Sequence, residues 1–206
     1  MYEPPLHRQD NLSEIHALIR ARPFGLLVSH GPSGLLANSI PFTLIDDGSA
    51  YGLLRAHLAR ANPQWRDLTE AAEALVVFQG ADSYITPSWY ATKRETGKVV
   101  PTWNYVLVQA RGKPSVFETA DWLRAQVEQL TSEREAARDE PWAVGDAPEA
   151  FVAQQLRAIV GVEIPIADLR GKWKASQNRN DADREGVIAG LGDDPMAEIV
   201  REAKSP

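Results

Sequence analysis

Between Phe24 and Leu58 the sequence switches three times between a short strand-like run and a turn, and this alternation restricts the architecture more than any other feature. Phe24 to Ser29, Leu35 to Ile45 and Ala50 to Leu58 carry the apolar and β-branched residues of strands, and the pieces HGPSG and DDGS between them supply turn residues. The three runs read as an antiparallel meander. Ala74 to Gln79 is a near-continuous apolar run and predicts a strand buried on both faces. Val99 to Ala110 predicts a long strand that turns at Arg111 to Pro114 and returns through Ser115 to Glu118. Six or more strands of this kind point to a closed or nearly closed sheet.

Helical signals surround the strands. Asp10 can cap a helix running to about Arg22, where Pro23 stops it, and Asn62-Pro63 offers a cap and a first helical position for a short helix. Thr119 to about Ala137 and Pro148 to Ile159 have apolar residues at helical spacing. Val160 to Ile166 is β-branched, but Pro165 makes it an edge strand or a strand end. Beyond Gly171 the chain is polar until a weak helix near Ala182 to Leu191. There is no internal repeat and no long linker. The expectation is one α+β domain over residues 1–206 with a helical C-terminal elaboration.

The absence of cysteine removes disulfides and thiolate metal sites. A net charge of −6 excludes a long-range positive field that would gather nucleic acid, so direct DNA binding is a doubtful expectation. No apolar run approaches the roughly 20 residues that span a bilayer, and no signal peptide opens the chain. A cytoplasmic location with no membrane contact is expected.

Three segments concentrate the chemistry. YITPSWYATKRETGKVVPTWNY holds Tyr84, Trp89, Tyr90, Trp103 and Tyr105, with Ser88, Thr92, Lys93, Lys98, Thr102 and Asn104 between them. Aromatic faces mixed with donors describe a site for a flat, phosphate-bearing ring; the alternative is a barrel core with a solvated loop. In LLRAHLARANPQW, Arg55, His57 and Arg60 lead into the helix that starts at Asn62. A helix start with an arginine beside it can hold an anion, or the arginine can simply flank the helix in solvent. In GKWKASQNRNDADR, Lys172, Lys174, Gln177 and Arg179 lie in an otherwise acidic third of the chain, as a ligand segment or as a basic surface loop. Four of the six lysines fall in the first and third segments. No GxGxxG, no GxxxxGK[ST] and no GxSxG is present, and the histidines His7, His16, His30 and His57 lack metal-ligand spacing.

At these segments the chain resembles the PaiB family, FMN-binding negative transcriptional regulators that share the split β-barrel of flavin reductases and pyridoxamine-phosphate-oxidase-like proteins. The resemblance runs from MYEPPLHR through RPFGLLVS, SIPFTLI, HLARANPQW, YITPSWYATK, VVPTWNY and PWAVGDAP to IVGVEIPIADLRGKWKASQNR. It implies an antiparallel split β-barrel with peripheral helices and FMN held at the interface of a homodimer. It places Arg60 and Asn62, with His57 nearby, at the phosphate. It puts Ser88, Trp89 and Lys93, and Thr102, Trp103 and Asn104, along the cofactor, with Lys174 and Gln177 as further contacts. The chain departs from the family pattern at Ala56, Ser39 and Gln109, where glycine, histidine and histidine are common. Three functional classes follow: a flavin-dependent regulator, a flavin oxidoreductase, or a binder of another flat molecule such as haem.

Overall fold

The structure is a computed structural model and describes residues 1–203. In chain order the elements begin with β1 (Arg8–Gln9), α1 (Leu12–Ala21), β2 (Phe24–Gly31), β3 (Gly34–Pro41), β4 (Thr43–Ile45), β5 (Leu53–Ala59) and α2 (Gln64–Glu70). There follow β6 (Ala74–Ile85), α3 (Ala91–Glu95), β7 (Thr102–Gly112), β8 (Ser115–Phe117) and α4 (Ala120–Glu135). The last elements are α5 (Glu149–Arg157), β9 (Ile159–Pro165), β10 (Asp168–Lys174), α6 (Asp181–Leu191) and α7 (Pro195–Glu202). They form two compact units. Unit 1 comprises residues 1–15, 79–108 and those from Arg170 on; unit 2 comprises residues 16–78 and 109–169.

Unit 2 contains the expected meander in a modified form. β2 and β3 pair antiparallel through all eight residues of each, from Phe24↔Pro41 to Gly31↔Gly34. The expected second run, Leu35 to Ile45, however, is divided. The chain bends at Phe42, which is fully buried against Phe78 in an edge-to-face contact, and β4 enters a different sheet with the order β4-β5-β9-β8. A single long strand cannot serve two sheets. The short length of β4 is the physical record of that corner. β9 lies between β5 and β8 with Pro165 as its last residue, so the proline ends a central strand and leaves every ladder position before it free to donate.

β6 was expected to be buried on both faces, and here the structure differs. Val76 and Phe78 are buried, whereas Leu75 and Val77 alternate with them at intermediate exposure. Leu75 and Val77 stand opposite Val28 and Leu26 of β2. These in turn stand opposite Ala37 and Ser39 of β3, and Phe24 and Leu35 extend the same face. Phe24 is 66% and Leu35 75% exposed, which leaves one face of this antiparallel sheet apolar and uncovered.

Unit 1 is assembled from three distant stretches of chain. β1 pairs with β10 through Arg8↔Lys172 and Gln9↔Gly171, and β10 neighbours β7. β10 was not expected, because Asp168 to Lys174 alternates too little and carries too much charge. α7 was also unforeseen, although Asp194 caps it through Met196 N at 2.8 Å and Pro195 opens it, as helix-start chemistry requires. α6 is notched for an aromatic ring. A Cβ on Gly186 would stand 2.0 Å from the Trp89 carbonyl oxygen, and one on Gly190 would stand 2.3 Å from its indole. No described helix is long and apolar enough to cross a membrane.

Candidate functional site

In unit 1 the end of β10 brings several basic side chains among aromatic rings. Lys172 is only 6% exposed; its ammonium donates to the Tyr2 carbonyl at 3.0 Å and lies 5.4 Å and 5.1 Å from the ring centres of Tyr2 and Tyr105. Lys174 Nζ donates to Thr102 Oγ1 at 2.6 Å and to the Trp103 carbonyl. Arg179 stacks over Tyr90 at 4.2 Å. None of these three cations pairs with a carboxylate among the described residues. Buried charge ordinarily comes with a counter-charge, so this cluster lacks something that an anion would supply.

The neighbouring groups record the same field. Burial, then the charges of Lys172 and Arg179, holds the Lys174 ammonium below the ordinary lysine pKa. Burial lowers His7 as well; its hydrogen bond to Gln177 opposes that shift, and the charges of Lys174 and Lys172 add to it. His7 Nδ1 donates to Gln177 Oε1 at 3.0 Å, and Gln177 Nε2 donates to the Trp173 carbonyl at 2.6 Å. Gln177 and Trp173 also line a cavity of about 400 Å³ together with Arg8, Gln9 and Glu14.

Ser176 holds the turn after β10 in the left-handed region, with φ +60, although it is not glycine. Its hydroxyl accepts from Asn104 Nδ2 at 2.8 Å, while Asn104 Oδ1 is buried without a partner. Trp103 is 53% exposed and meets Tyr84 edge-to-face at 6.1 Å. Lys93 Nζ donates to Ser88 Oγ at 3.0 Å on the exposed surface. Trp89, expected along the cofactor, lies instead in the α6 notch, and α6 ties the same loop through Asp183 Oδ1, which accepts from Thr92 N at 2.9 Å.

The remaining expected residues belong to unit 2. Asn62 Oδ1 accepts from Gln64 N at 3.0 Å, the capping bond that the Asn-Pro pair predicts. Gln126 of α4 receives a hydrogen bond from His57 Nδ1 at 2.7 Å, and its own Nε2 is buried without a partner. Arg60 turns its guanidinium onto the chain itself. Nε donates to the Arg157 carbonyl at 2.9 Å, one terminal nitrogen to the Ile159 carbonyl at 3.1 Å, and the other to Glu118. It also lines a cavity of about 650 Å³ with Glu118, Arg124 and Glu149, a wall of mixed charge.

Several members of the unit 1 cluster were outside the expected contacts. Lys172, Arg179 and Tyr90 sat in segments already singled out, but spacing could not say that a lysine there is buried. His7 and Tyr2 had only their place in MYEPPLHR to mark them.

The fold is an antiparallel split barrel with peripheral helices. Residues 1–168 match the family described as "Putative FMN-binding domain". The protease synthase and sporulation protein PAI 2 of Bacillus subtilis is 31% identical across 98% of this chain and 97% of its own length. An uncharacterized protein of Emericella nidulans is 39% identical, again across 98% of this chain and 97% of the relative. Among solved structures, the FAD and haem binding protein of Mycobacterium smegmatis matches with a TM-score of 0.62 at 19% identity, covering 89% of this chain and 80% of that one. The chain belongs to the PaiB-like FMN-binding family, and FMN is its cofactor.

The residues fit that group. Cations without carboxylates suit a phosphate or the carbonyl edge of a flavin, the exposed Trp103 face suits a flat ring, and the unpartnered Asn104 Oδ1 can accept from an imide N–H. Lys172, Lys174, Gln177 and Arg179 all lie beyond the residues matched by the family description.

Proposed function

We propose that the chain is a cytoplasmic FMN-binding regulator of the PaiB type, that residues 1–206 serve one FMN-binding domain, and that it works as a homodimer sharing the cofactor. The observation that carries this reading is the group of cations at the end of β10, Lys172, Lys174 and Arg179, none of which pairs with a carboxylate among the described residues. Lys174, Thr102 and Asn104 would hold and orient the ring edge, and Lys93 with Ser88 would meet the phosphate. His57, Asn62, Arg60 and Trp89 would act as scaffold, because their polar groups or rings already have partners within the chain. The apolar face around Phe24, Leu26 and Leu35 supports a homodimer, since monomers rarely leave a contiguous apolar face in water. With a net charge of −6, a regulatory output through a protein or ligand partner is favoured over direct operator contact.

Bound FMN would supply reversible electron transfer. A flavin oxidoreductase is therefore the second reading, and the unpaired cations favour it because they stabilise the negative charge that reduction adds.

The test is titration of the apoprotein with FMN and FAD, followed by flavin fluorescence, with sedimentation of the loaded protein. FMN is expected to bind more tightly than FAD and to a dimer. Lys174→Met should weaken FMN roughly ten- to a hundredfold, from a charge-assisted contact of about 1.5–3 kcal/mol. Unchanged affinity in that variant would remove the cluster from the site, and a monomer with FMN still bound would rule out the shared site. Anaerobic bleaching by NADH or NADPH would promote the oxidoreductase.

A further inference from the structure

We infer that Lys174 is a nucleophilic amine at which a phosphate-bearing aldehyde condenses as an imine. The argument starts from hydrogen-bond valence. A neutral amine has two N–H donors and one lone pair, whereas an ammonium has three donors and no acceptor. The Trp103 carbonyl can take one N–H, and the Thr102 hydroxyl, 2.6 Å away, is free to rotate its proton onto the lone pair. The pair of partners therefore satisfies the free base as well as it satisfies the cation.

Ordinarily a carboxylate would hold the proton on such a lysine. None does so here among the described residues, and the charges that act on Lys174 are basic: Lys172 on the same strand and Arg179 on the turn after it. Burial and the charges of Lys172 and Arg179 depress the Lys174 pKa, which raises the free-base fraction at neutral pH and with it the nucleophilicity. Lys174 is nevertheless only partly buried, so a small molecule can reach it.

The same neighbours specify the aldehyde. Arg179 has a planar fork with no carboxylate paired to it, suited to a phosphate, and Tyr90 and Tyr105 set ring faces beside Arg179 and Lys172. In the reaction the Nζ lone pair attacks the aldehyde carbon and the carbonyl electron pair moves to oxygen. A proton passes from nitrogen to that oxygen, with Thr102 placed to relay it. Loss of water then leaves the C=N bond. No oxidant or reductant enters.

The inference shares Lys174 with the flavin reading, but its readout, the position of a reduced imine in the apoprotein, does not depend on flavin titration. Its test uses the full chain at neutral pH with pyridoxal 5′-phosphate as probe, borohydride reduction, and peptide mass spectrometry to locate the label. Lys174 is expected to carry most of the label among the six lysines. Pyridoxal without its phosphate should label it about tenfold less, the weight of one charge-assisted contact. Lys174→Arg, which keeps the charge, should abolish the labelling, and Arg179→Gln should weaken it. Label spread evenly over exposed Lys93 and Lys98, or equal labelling by pyridoxal, would overturn the inference even if FMN binding is intact. Selective labelling of a chain that binds no FMN would uphold it and defeat the flavin reading alone.

Discussion

One group of cations in each unit is partnered in the opposite way to the other. In unit 2, Arg55 pairs with Glu163 at 2.6 Å, Arg60 with Glu118, and Arg124 with Glu149, and Arg60 adds two backbone carbonyls. In unit 1, Lys172, Lys174 and Arg179 have carbonyls, a hydroxyl and aromatic faces as partners, and no carboxylate among the described residues. A paired arginine is already neutralised and joins segments of chain. An unpaired buried ammonium carries a desolvation cost that only an incoming anion can offset. The difference distinguishes the two groups better than the residue types do, since both looked like anion sites in the sequence.

Arg60→Ala should give the largest effect, and it should fall on stability. Removing the guanidinium leaves the Arg157 and Ile159 carbonyls short of a donor, a loss of about 1–3 kcal/mol reduced by the partial exposure of the site. Urea denaturation of the apoprotein reads the loss, and FMN affinity should stay within about threefold of wild type. A large affinity loss with unchanged stability would return the phosphate to Arg60 and break the contrast between the units.

Lys172→Met should move the two quantities in opposite directions. Methionine fills the space between Tyr2 and Tyr105 without a charge to desolvate, so the apoprotein should gain about 1 kcal/mol. FMN should bind several-fold more weakly, because part of the attractive field is gone. A variant that loses stability would show Lys172 to be held for structure.

The smallest effect concerns pH. His7 has its folded-state pKa below the unfolded value of 6.5, so below that value the unfolded chain binds the proton more readily. Stability therefore falls as pH drops from about 6.5 through the lowered pKa, and the contribution is absent at neutral pH and above. His7→Gln should flatten that part of the stability curve between neutral and acid pH; identical slopes in the two proteins would show that neither burial nor the lysines' field depresses His7.

The strands of unit 2 were legible because their side chains alternate and their turns use Gly, Pro, Asp and Ser in positions that only turns favour. β2, β5 and β7 appear close to the expected bounds. The division of the second run at Phe42 was not legible, since a change of sheet needs one buried residue and leaves no mark in composition. β10 was hidden by its charge: Arg170, Lys172 and Lys174 read as solvated until the N-terminal segment and β7 are placed around them. Trp103, Lys174 and Asn104 were candidates by residue type and resemblance, and the structure places Lys174 on the Trp103 carbonyl and Asn104 on the turn after β10. That Trp89 fills a notch between two glycines of α6, and that Arg60 is bonded by its own chain, are tertiary facts that spacing along the chain does not encode.

The hydrogen bond between His7 and Gln177 joins residues 170 positions apart, and Lys172 to Tyr2 spans the same separation. Closing so long a loop is entropically costly and gives no reward until both ends are present. During synthesis, then, the N-terminal residues must wait for almost the whole chain before they find their partners. The cationic cluster is completed late, and a nascent or truncated chain can possess the hairpin of β2 and β3 while having no site at all.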